Sequence, residues 1–354
     1  MPKRVLTSGN EALAEGAIRA GCDCYFGYPI TPQNELTTYM AVHMPRLKRV
    51  FVQAESEVAA INMVYGAAAA GKRAMTSSSS PGVSLKQEGI SYLAGAELPA
   101  LIVNVQRAGP GLGSIEPSQA DYFQATKGGG HGDYRMIVLA PNSVQEMHDF
   151  AVLGFDLADR YRNPVMILSD GQIGQMMEPV VLYDKPVCPP DKPWALTGAK
   201  DRPHNIIRSY FSRGGLLEVH NKRLQEKYAK IAGSEVRYET LELAGASIMV
   251  VAYGTSARIC GGAIKLARRQ GISVGMLRPQ TLWPFPTQAI ASHLDRVQAV
   301  LVVELSAGQM VEDVRLAVNG RVPVHFVGRV GGGVPSIADV QQKIQEVAAK
   351  GVRP

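Results

Sequence analysis

The sequence predicts an α/β protein in which a parallel sheet, covered by helices on both faces, is followed by a second, smaller α/β domain. Between residues 8 and 170, segments of helical character alternate with short apolar segments. The apolar segments, such as Ala100-Leu-Ile-Val-Asn-Val105, are continuous, which is typical of strands buried on both faces. The same alternation resumes after residue 247, beyond a proline-rich stretch.

The first block opens with a helix N-terminus. Ser8 and Glu11 have the spacing of a capping box, which predicts a helix that ends near Gly21. Because helices separate most of the strands that follow, those strands are predicted to run parallel. The remaining predicted elements are strand 22–26, helix 33–43, strand 49–53, helix 57–70, strand 73–76, helix 83–94, strands 100–105 and 136–139, helix 143–160 and strand 164–168.

Residues 179–246 interrupt this alternation. Six prolines between residues 179 and 203, Pro186 among them, predict an extended linker with one helix at about 217–232. The predicted domains are therefore 1–178 and 247–354, joined by the linker 179–246. The second block predicts strands 247–253, 272–277, 297–303 and 323–328 and helices 256–270, 286–293, 309–319 and 336–349.

Composition excludes several classes of function. Most of the net charge of +6 comes from residues 200–230, which contain eight basic and three acidic side chains. Since this segment has no helix-turn-helix, RNP motif or interleaved aromatics, it predicts a solvated face or a subunit contact and no nucleic-acid site. The four scattered cysteines predict no cluster or metal site on this chain. Without a long apolar run or a signal peptide, we expect a soluble cytoplasmic protein with no membrane contact.

Four unusual loops follow predicted strands, at the sheet edge where parallel α/β proteins bind ligands. They span residues 27–32, 53–57, 77–82 and 106–113. The first holds Thr31 between two prolines, the second holds Glu55 and Glu57, and the fourth holds Arg107. Each residue also has a structural explanation, as a helix cap, a first-turn carboxylate or a surface charge. Four such loops on one edge favour a functional site.

Neither loop rich in glycine or serine is a nucleotide motif. Gly109-Pro-Gly-Leu-Gly113 has the wrong spacing for a dinucleotide fingerprint, and Ser77–Gly82 lacks the Gly-Lys-Ser/Thr ending of a P-loop. The stretch Lys127-Gly-Gly-Gly-His-Gly132 is either a loop that closes over a ligand or a turn-rich connection. His131 is therefore a secondary catalytic candidate.

Five motifs, in order along nearly the whole chain, resemble the alpha subunit of 2-oxoacid:ferredoxin oxidoreductases. This resemblance implies a pyrimidine-type thiamine diphosphate-binding domain followed by a transketolase C-terminal-like domain. Two further stretches, 117–121 and 127–135, resemble subunits of branched-chain (2-oxoisovalerate) enzymes, with 2-oxoglutarate enzymes as the alternative. The five motifs are Tyr28-Pro-Ile-Thr-Pro32, Glu55-Ser-Glu57 with Gly66–Gly71, Ser80-Pro-Gly82, Val105-Gln-Arg107 and Leu282-Trp-Pro-Phe-Pro286.

The resemblance also implies roles for single residues. Glu57 matches the glutamate that hydrogen-bonds the aminopyrimidine ring of thiamine diphosphate and so helps to activate the thiazolium carbon as a nucleophile. Glu55 is the second choice for this base. Thr31 and Arg107 match residues that hold the 2-oxoacid, and a guanidinium can grip its carboxylate with two hydrogen bonds. Pro29 matches a residue that lines the cofactor pocket.

One missing motif predicts partner subunits. Thiamine enzymes hold the diphosphate through Mg²⁺ bound at a Gly-Asp-Gly motif, whereas this chain has only Ser169-Asp-Gly171. The resemblance implies a beta subunit with the diphosphate and Mg²⁺ site, a gamma subunit, and a ferredoxin-like delta subunit with 4Fe-4S clusters. The implied enzyme, active only with these partners, converts a 2-oxoacid and coenzyme A to acyl-CoA, CO₂ and reduced ferredoxin.

Two alternatives remain beside this interpretation. A single-chain thiamine-dependent decarboxylase or synthase would carry both halves of the cofactor site, and the missing Gly-Asp-Gly speaks against it. A non-catalytic scaffold subunit would not need Thr31, Glu57 and Arg107 together.

Overall fold

The computed structural model describes residues 4–185 and 187–350, so Pro186 of the predicted linker and the first three residues lie outside the described residues. Helices and strands alternate through the first half in the predicted order. Its elements are β1 (Arg4–Ser8), α1 (Gly9–Arg19), β2 (Cys24–Gly27), α2 (Asn34–Arg46), β3 (Val50–Gln53), α3 (Glu57–Ala69), β4 (Ala74–Ser78), α4 (Ser80–Gly95), β5 (Ala100–Gln106), β6 (Ile137–Leu139), α5 (Val144–Tyr161), β7 (Pro164–Asp170), α6 (Gly171–Gln175) and β8 (Met177–Val181).

The second half adds a long helix and then a second α/β unit. In the first half, a π-helical turn at Gln124–Gly128 lies between β5 and β6. The elements of the second half are α7 (Leu216–Ser234), β9 (Tyr238–Leu241), β10 (Ile248–Val251), α8 (Gly254–Arg269), β11 (Val274–Pro279), β12 (Thr281–Trp283), α9 (Thr287–His293), β13 (Ala299–Glu304), α10 (Met310–Val318), β14 (Val324–Gly328) and α11 (Ile337–Ala349).

Seven strands form the first sheet, in the order β12-β6-β7-β5-β4-β2-β3. All neighbours from β6 to β3 run parallel. Every residue of β5 and of β7 is buried, which explains their continuous apolar sequences. The predicted parallel sheet with helices on its faces is confirmed.

The capping box at the start of α1 is also confirmed. The Ser8 hydroxyl accepts a hydrogen bond from the Glu11 amide, and the Glu11 carboxylate accepts one from the Ser8 amide. Such a cap typically contributes about 1 kcal/mol of stability. Gly16 lets α1 pack closely along α5, because a Cβ at this position would lie 2.3 Å from the His148 carbonyl oxygen.

Five strands form the second sheet, in the order β14-β13-β10-β11-β9. The parallel strands β10, β11, β13 and β14 correspond to the four predicted strands of the smaller domain. Helices α8 and α11 cover one face with an apolar core. A smaller α/β unit after the first sheet is therefore confirmed.

Four short strands were not predicted from the sequence. β1 and β8 pair with each other, β9 adds to the second sheet, and β12 adds to the first sheet, in each case antiparallel. Their residues are few or partly exposed, so they lack the long apolar run that marks a central strand. Segment 179–246 thus contains part of β8 and all of α7 and β9, while the domain boundaries 178 and 247 stay predictions.

Buried polar contacts join the two halves. Gln119 is fully buried, donates to the Tyr253 carbonyl and accepts from Ser256 and the Leu305 amide. Such contacts fix the loops of the second half against those of the first. Within the described part of the chain, none of the helices combines the length and the apolarity that a bilayer crossing requires.

Candidate functional site

The four unusual loops lie side by side at one edge of the first sheet. They follow strands β2, β3, β4 and β5, which are adjacent and parallel in the order β5-β4-β2-β3. Parallel strands end at the same edge, so the loops converge where ligands bind in this class of sheet.

Glu57 is the first residue of α3 and lies almost completely inside this edge. The Ser56 hydroxyl caps the helix by accepting from the Ala59 amide, which fixes the start of α3. The Glu57 side chain is only 6% exposed, and among residues 4–185 and 187–350 we find no hydrogen bond to its carboxylate. A buried carboxylate without a donor requires one from outside the chain or from solvent.

Gly82 makes room for this carboxylate. A Cβ atom at position 82 would lie 2.6 Å from Glu57 Oε1 and 2.1 Å from Ser78 Oγ. Only glycine allows this close approach between α4 and α3. The Ser80-Pro-Gly82 motif therefore has a packing role beside Glu57.

Several buried polar atoms near this edge have no hydrogen-bond partner among the described residues. They include the hydroxyls of Ser78 and Ser79 and the Nε of Arg107. Buried polar groups are normally paired, so this cluster fits a polar ligand at the edge. The set offers oxygen and nitrogen donors suited to an aminopyrimidine ring and a carboxylate.

Arg107 begins the loop after β5 and is 8% exposed. Its Nη1 donates to the Thr31 carbonyl at 3.1 Å, and its Nη2 donates to the Leu112 carbonyl at 3.0 Å. The structure thus brings Arg107 and Thr31 together, through the backbone of Thr31. The Thr31 hydroxyl accepts from Asn34 Nδ2 at 3.1 Å.

The other candidates are more peripheral. Pro29 and Glu55 are exposed on the same loops as Thr31 and Glu57. His131 is exposed and its ring lies edge-on to Tyr92, with centroids 6.3 Å apart. We find no contact among the described residues that brings His131 to Glu57 or Arg107.

Sequence reasoning missed Lys86, which is fully buried on α4. Its Nζ donates to Thr76 Oγ1 at 2.9 Å and to the Ser77 carbonyl at 3.0 Å. Burial lowers the pKa of Lys86 to about 7, and the negative charge of Glu57 partly opposes this shift. The available signal was spacing, because Lys86 falls on the same helix face as Gly82 and Ile90.

A cavity of about 430 Å³ lies between the two halves of the chain, next to Arg107. Asp121 lines it and accepts hydrogen bonds from Ser80 Oγ at 2.5 Å and from Asn104 Nδ2 at 2.8 Å. Burial raises the pKa of Asp121, while the two hydrogen bonds act in the opposite direction. Sequence reasoning noted the 117–121 stretch without assigning this contact.

Two protein families match this chain. A family described as "Pyruvate flavodoxin/ferredoxin oxidoreductase, thiamine diP-bdg" matches residues 15–229. A second, "Pyruvate:ferredoxin oxidoreductase core domain II", matches residues 246–340.

Similar proteins carry related names. The chain is 54% identical to "Ketoisovalerate oxidoreductase subunit VorB" of Methanothermobacter thermautotrophicus, over 97% of each chain. It is 40% identical to "2-oxoglutarate synthase subunit KorA" of Archaeoglobus fulgidus, over 87% of this chain and 90% of that one.

Two solved structures share the fold. A 2-oxoglutarate:ferredoxin oxidoreductase from Magnetococcus marinus, with 2-oxoglutarate, coenzyme A and succinyl-CoA bound, matches with a TM-score of 0.87 and 26% identity. The match covers 98% of this chain but 65% of that longer chain. A split-gene transketolase matches with a TM-score of 0.60 and 16% identity over 99% of each chain, which shows the fold alone. From its motifs, its converging loops and these similarities, the chain belongs to the 2-oxoacid:ferredoxin oxidoreductase family and contains that family's thiamine diphosphate-binding domain.

Proposed function

We propose that this chain is the alpha subunit of a 2-oxoacid:ferredoxin oxidoreductase that oxidises a branched-chain 2-oxoacid, with 2-oxoisovalerate favoured, to acyl-CoA and CO₂ while reducing ferredoxin. The observation that carries this proposal is the buried Glu57 carboxylate, held against Gly82 with no donor among the described residues. The ring nitrogen of an aminopyrimidine, which carries a proton in the imino tautomer, fits this position. When bound, thiamine diphosphate supplies the carbon nucleophile and accepts the electrons released by decarboxylation.

Glu57 is proposed to act on the pyrimidine ring. Its carboxylate accepts a hydrogen bond from a ring nitrogen and shares that proton. The rest of α3 carries no charged side chain, so no charge on this helix competes with this interaction. Pro29, on the neighbouring loop, is proposed to line the pocket beside the ring.

Arg107 and Thr31 are proposed to hold the substrate carboxylate. The guanidinium of Arg107 has five N–H groups, and the two backbone carbonyls accept from one of them on Nη1 and one on Nη2. The Nε–H and one further N–H on each Nη are left for a ligand. The orphaned Nε is therefore a ready donor at the site. A hydroxyl from Thr31 adds a donor that is free to rotate.

The cavity next to Arg107 favours a substrate with a single carboxylate. Among the described residues that line it, Arg107 is the one cation and Asp121 the one anion, beside apolar groups such as Leu305 and Val330. The second carboxylate of 2-oxoglutarate would meet Asp121 without a cation to pair with. A branched apolar side chain meets no such penalty. The names of the 54% identical relatives agree with this preference, and 2-oxoglutarate is the alternative substrate.

The diphosphate and its Mg²⁺ are proposed to bind to a beta subunit. Asp170 of Ser169-Asp-Gly171 is buried and accepts hydrogen bonds from the Gln172 and Ile173 amides and from Thr255. This carboxylate is occupied in joining the two halves. In the described part of the chain, no group of His, Cys, Asp or Glu side chains could hold a metal ion.

The surface for this beta subunit is proposed to include α3. Val58, Asn62 and Gly66 form an exposed stripe on this helix, one turn apart. A Cβ at position 66 would meet nothing within 4 Å, so the chain itself does not require glycine there. Glycine inside an exposed helix costs roughly 0.5–1 kcal/mol relative to alanine, which is consistent with close approach of another polypeptide.

Electron transfer is proposed to need gamma and delta subunits. Three of the four cysteines, Cys22, Cys24 and Cys260, are buried in the fold, and the fourth, Cys188, is exposed in the extended segment. A 4Fe-4S cluster takes four thiolates, so the clusters are assigned to the ferredoxin-like delta subunit. Coenzyme A acts as co-substrate, and the complex is proposed to work in the cytoplasm.

The test is an assay of the complex purified with its partners. We expect coenzyme A-dependent reduction of a redox dye with 2-oxoisovalerate, and less with 2-oxoglutarate or pyruvate. Glu57→Ala should abolish this activity with assembly intact, whereas Glu55→Ala, at an exposed carboxylate on the same loop, should retain it. Full activity of Glu57→Ala would remove Glu57 from the mechanism, and an inactive wild-type complex that binds no thiamine diphosphate would point to a scaffold subunit.

A further inference from the structure

The first turn of α4 contacts both parts of the candidate site. Its first residue, Ser80, lies against the main chain of Arg107, and the Ser80 hydroxyl accepts a hydrogen bond from the Arg107 amide at 3.0 Å. Gly82 lies against the Glu57 carboxylate, since a Cβ there would be 2.6 Å from Oε1. Pro81 stands between them at the helix start, where its fixed φ angle stiffens the turn. One short piece of backbone thus supports both residues of the site.

The Ser80 hydroxyl does not serve as a cap of its own helix. A serine at a helix start usually accepts a hydrogen bond from a free amide of the first turn. The N-cap residue of α4 is Ser79, and within the described residues its hydroxyl makes no such bond. The hydroxyl of Ser80 bonds instead to Arg107 and to Asp121. Helix capping therefore does not explain this serine.

Asp121 fixes the direction of the Ser80 hydroxyl. A serine hydroxyl has one proton, and two acceptors lie within its reach: Asp121 Oδ2 at 2.5 Å and the Arg107 carbonyl at 3.1 Å. The carboxylate is the closer acceptor and carries the charge, so it takes the proton. A lone pair of the hydroxyl oxygen is then left for the Arg107 amide. Asn104, buried on β5, donates to the same Oδ2 at 2.8 Å and holds the carboxylate in place.

The other contacts of Arg107 come from loops. The pairing of β5 with β7 ends one residue before Arg107, and a bridge joins Arg107 to Pro117 at the far end of its own loop. Its guanidinium bonds to the carbonyls of Thr31 and Leu112, which also lie in loops at the sheet edge. Ser80, by contrast, belongs to a helix of 16 residues. The bond to Ser80 therefore ties the Arg107 backbone to regular structure.

We propose that Ser80 is a positioning residue of the 2-oxoacid site, whose hydroxyl ties the Arg107 backbone to the helical turn beside Glu57 and so sets where the substrate carboxylate lies relative to the cofactor ring. This inference rests on the proposed function. A guanidinium whose backbone has shifted still attracts a carboxylate, but its donors no longer meet both oxygens. Because a misplacement of about 1 Å can lower a rate about 100-fold, the two parts of the site need a common support.

The experiment compares the assembled complex carrying Ser80→Ala with wild type. KM for 2-oxoisovalerate should rise about 10-fold, as expected for about 1.4 kcal/mol of lost binding. The dissociation constant of 2-hydroxyisovalerate, which lacks the keto group and does not react, should rise equally in calorimetry. The dissociation constant of thiamine diphosphate should stay unchanged, because Glu57 and Gly82 are intact. A purely structural role would lower the melting temperature and the active fraction without raising KM.

Two further substitutions at position 80 complete the series. Ser80→Thr keeps the hydroxyl and should restore both the KM and the dissociation constant of 2-hydroxyisovalerate. If the alanine variant fails to assemble, Ser80→Cys takes its place, because a thiol is similar in size and only a weak acceptor. It should show the same rise in KM. Equal defects in the threonine and alanine variants would overturn the inference.

Ser91→Ala is the matched control. Ser91 is another buried serine of α4, and its hydroxyl donates within the helix, to the Glu88 carbonyl at 2.7 Å. Its loss should leave KM and both dissociation constants in place. A rise in KM equal to that of Ser80→Ala would show that any buried serine of α4 has this effect, and would overturn the inference.

A double variant tests whether Ser80 acts through Arg107. In the Arg107→Lys background, Ser80→Ala should raise KM by much less than it does alone, because the two changes remove the same interaction. The full rise in that background, or a wild-type KM in Ser80→Ala alone, would overturn the inference. Glu57→Ala and Arg107→Lys by themselves test the proposed function separately, because neither alters Ser80.

Discussion

The space beside Gly82 allows a sharp test of where the Glu57 carboxylate must lie. In Gly82→Ala the new Cβ would begin 2.6 Å from Glu57 Oε1, whereas ordinary van der Waals contact begins at about 3.4 Å. The carboxylate must therefore shift by about 0.8 Å. The Ser78 hydroxyl, 2.1 Å from the same Cβ, must rotate away as well.

The expected effect falls on catalysis more than on stability. A misplacement of about 1 Å in a reacting group can lower the rate about 100-fold, which corresponds to about 2.7 kcal/mol of transition-state free energy. Overpacking costs typically 1–3 kcal/mol of unfolding free energy, and alanine in place of glycine in a helix returns about 0.5–1 kcal/mol. The folded chain should therefore survive with a net loss of at most about 2.5 kcal/mol.

Coenzyme A-dependent dye reduction by the complex, together with thiamine diphosphate binding, measures this effect. Gly154→Ala, on α5 and away from the four loops, is the control, since its Cβ would lie 2.6 Å from the Leu101 side chain on β5. It should lose similar stability and keep its activity. Wild-type activity and cofactor binding in Gly82→Ala would refute the placement of Glu57 against this helix.

Four further outcomes follow from contacts described above. Arg107→Lys should raise KM or lower kcat for the 2-oxoacid by about 10- to 100-fold, because a lysine cannot form two parallel hydrogen bonds to a carboxylate. Unchanged kinetics would contradict the role of Arg107 in substrate binding. The unfolding free energy should rise between about pH 7 and pH 10.5, where the unfolded chain binds the Lys86 proton and the folded chain does not, and urea titrations of Lys86→Met should show a flatter profile. Gly66→Trp should block co-purification with the beta subunit without unfolding this chain, and normal assembly would exclude α3 from the interface. Ser8→Ala should lower the unfolding free energy by about 1 kcal/mol, with a melting curve as the measurement.

The central part of the fold was predictable because its signals are local. The strands β5 and β7 are buried along their whole length, so their sequences are apolar without interruption. The Ser8–Glu11 capping box is a contact between near neighbours in sequence. By contrast, β9 and β12 depend on pairing with strands far away in sequence, and a few partly exposed residues carry no signal for this.

The candidate site was predictable in its location and less so in its contacts. Parallel topology places loops that follow neighbouring strands together, so Thr31, Glu57 and Arg107 could be grouped from the sequence. Their partners could not, because Arg107 binds two backbone carbonyls and any residue supplies those. The burial of Lys86 likewise depends on which face of α4 meets the sheet.

β12 joins the first sheet although it lies late in the sequence, and this affects how the chain folds during synthesis. Thr281–Trp283 covers the outer edge of β6, yet it emerges from the ribosome more than a hundred residues after β7. Until then β6 presents bare backbone groups to the surroundings, which is the kind of edge that invites unwanted strand pairing. A fragment ending before residue 281 should keep that edge open and aggregate during expression, so the N-terminal half should need the rest of the polypeptide to mature.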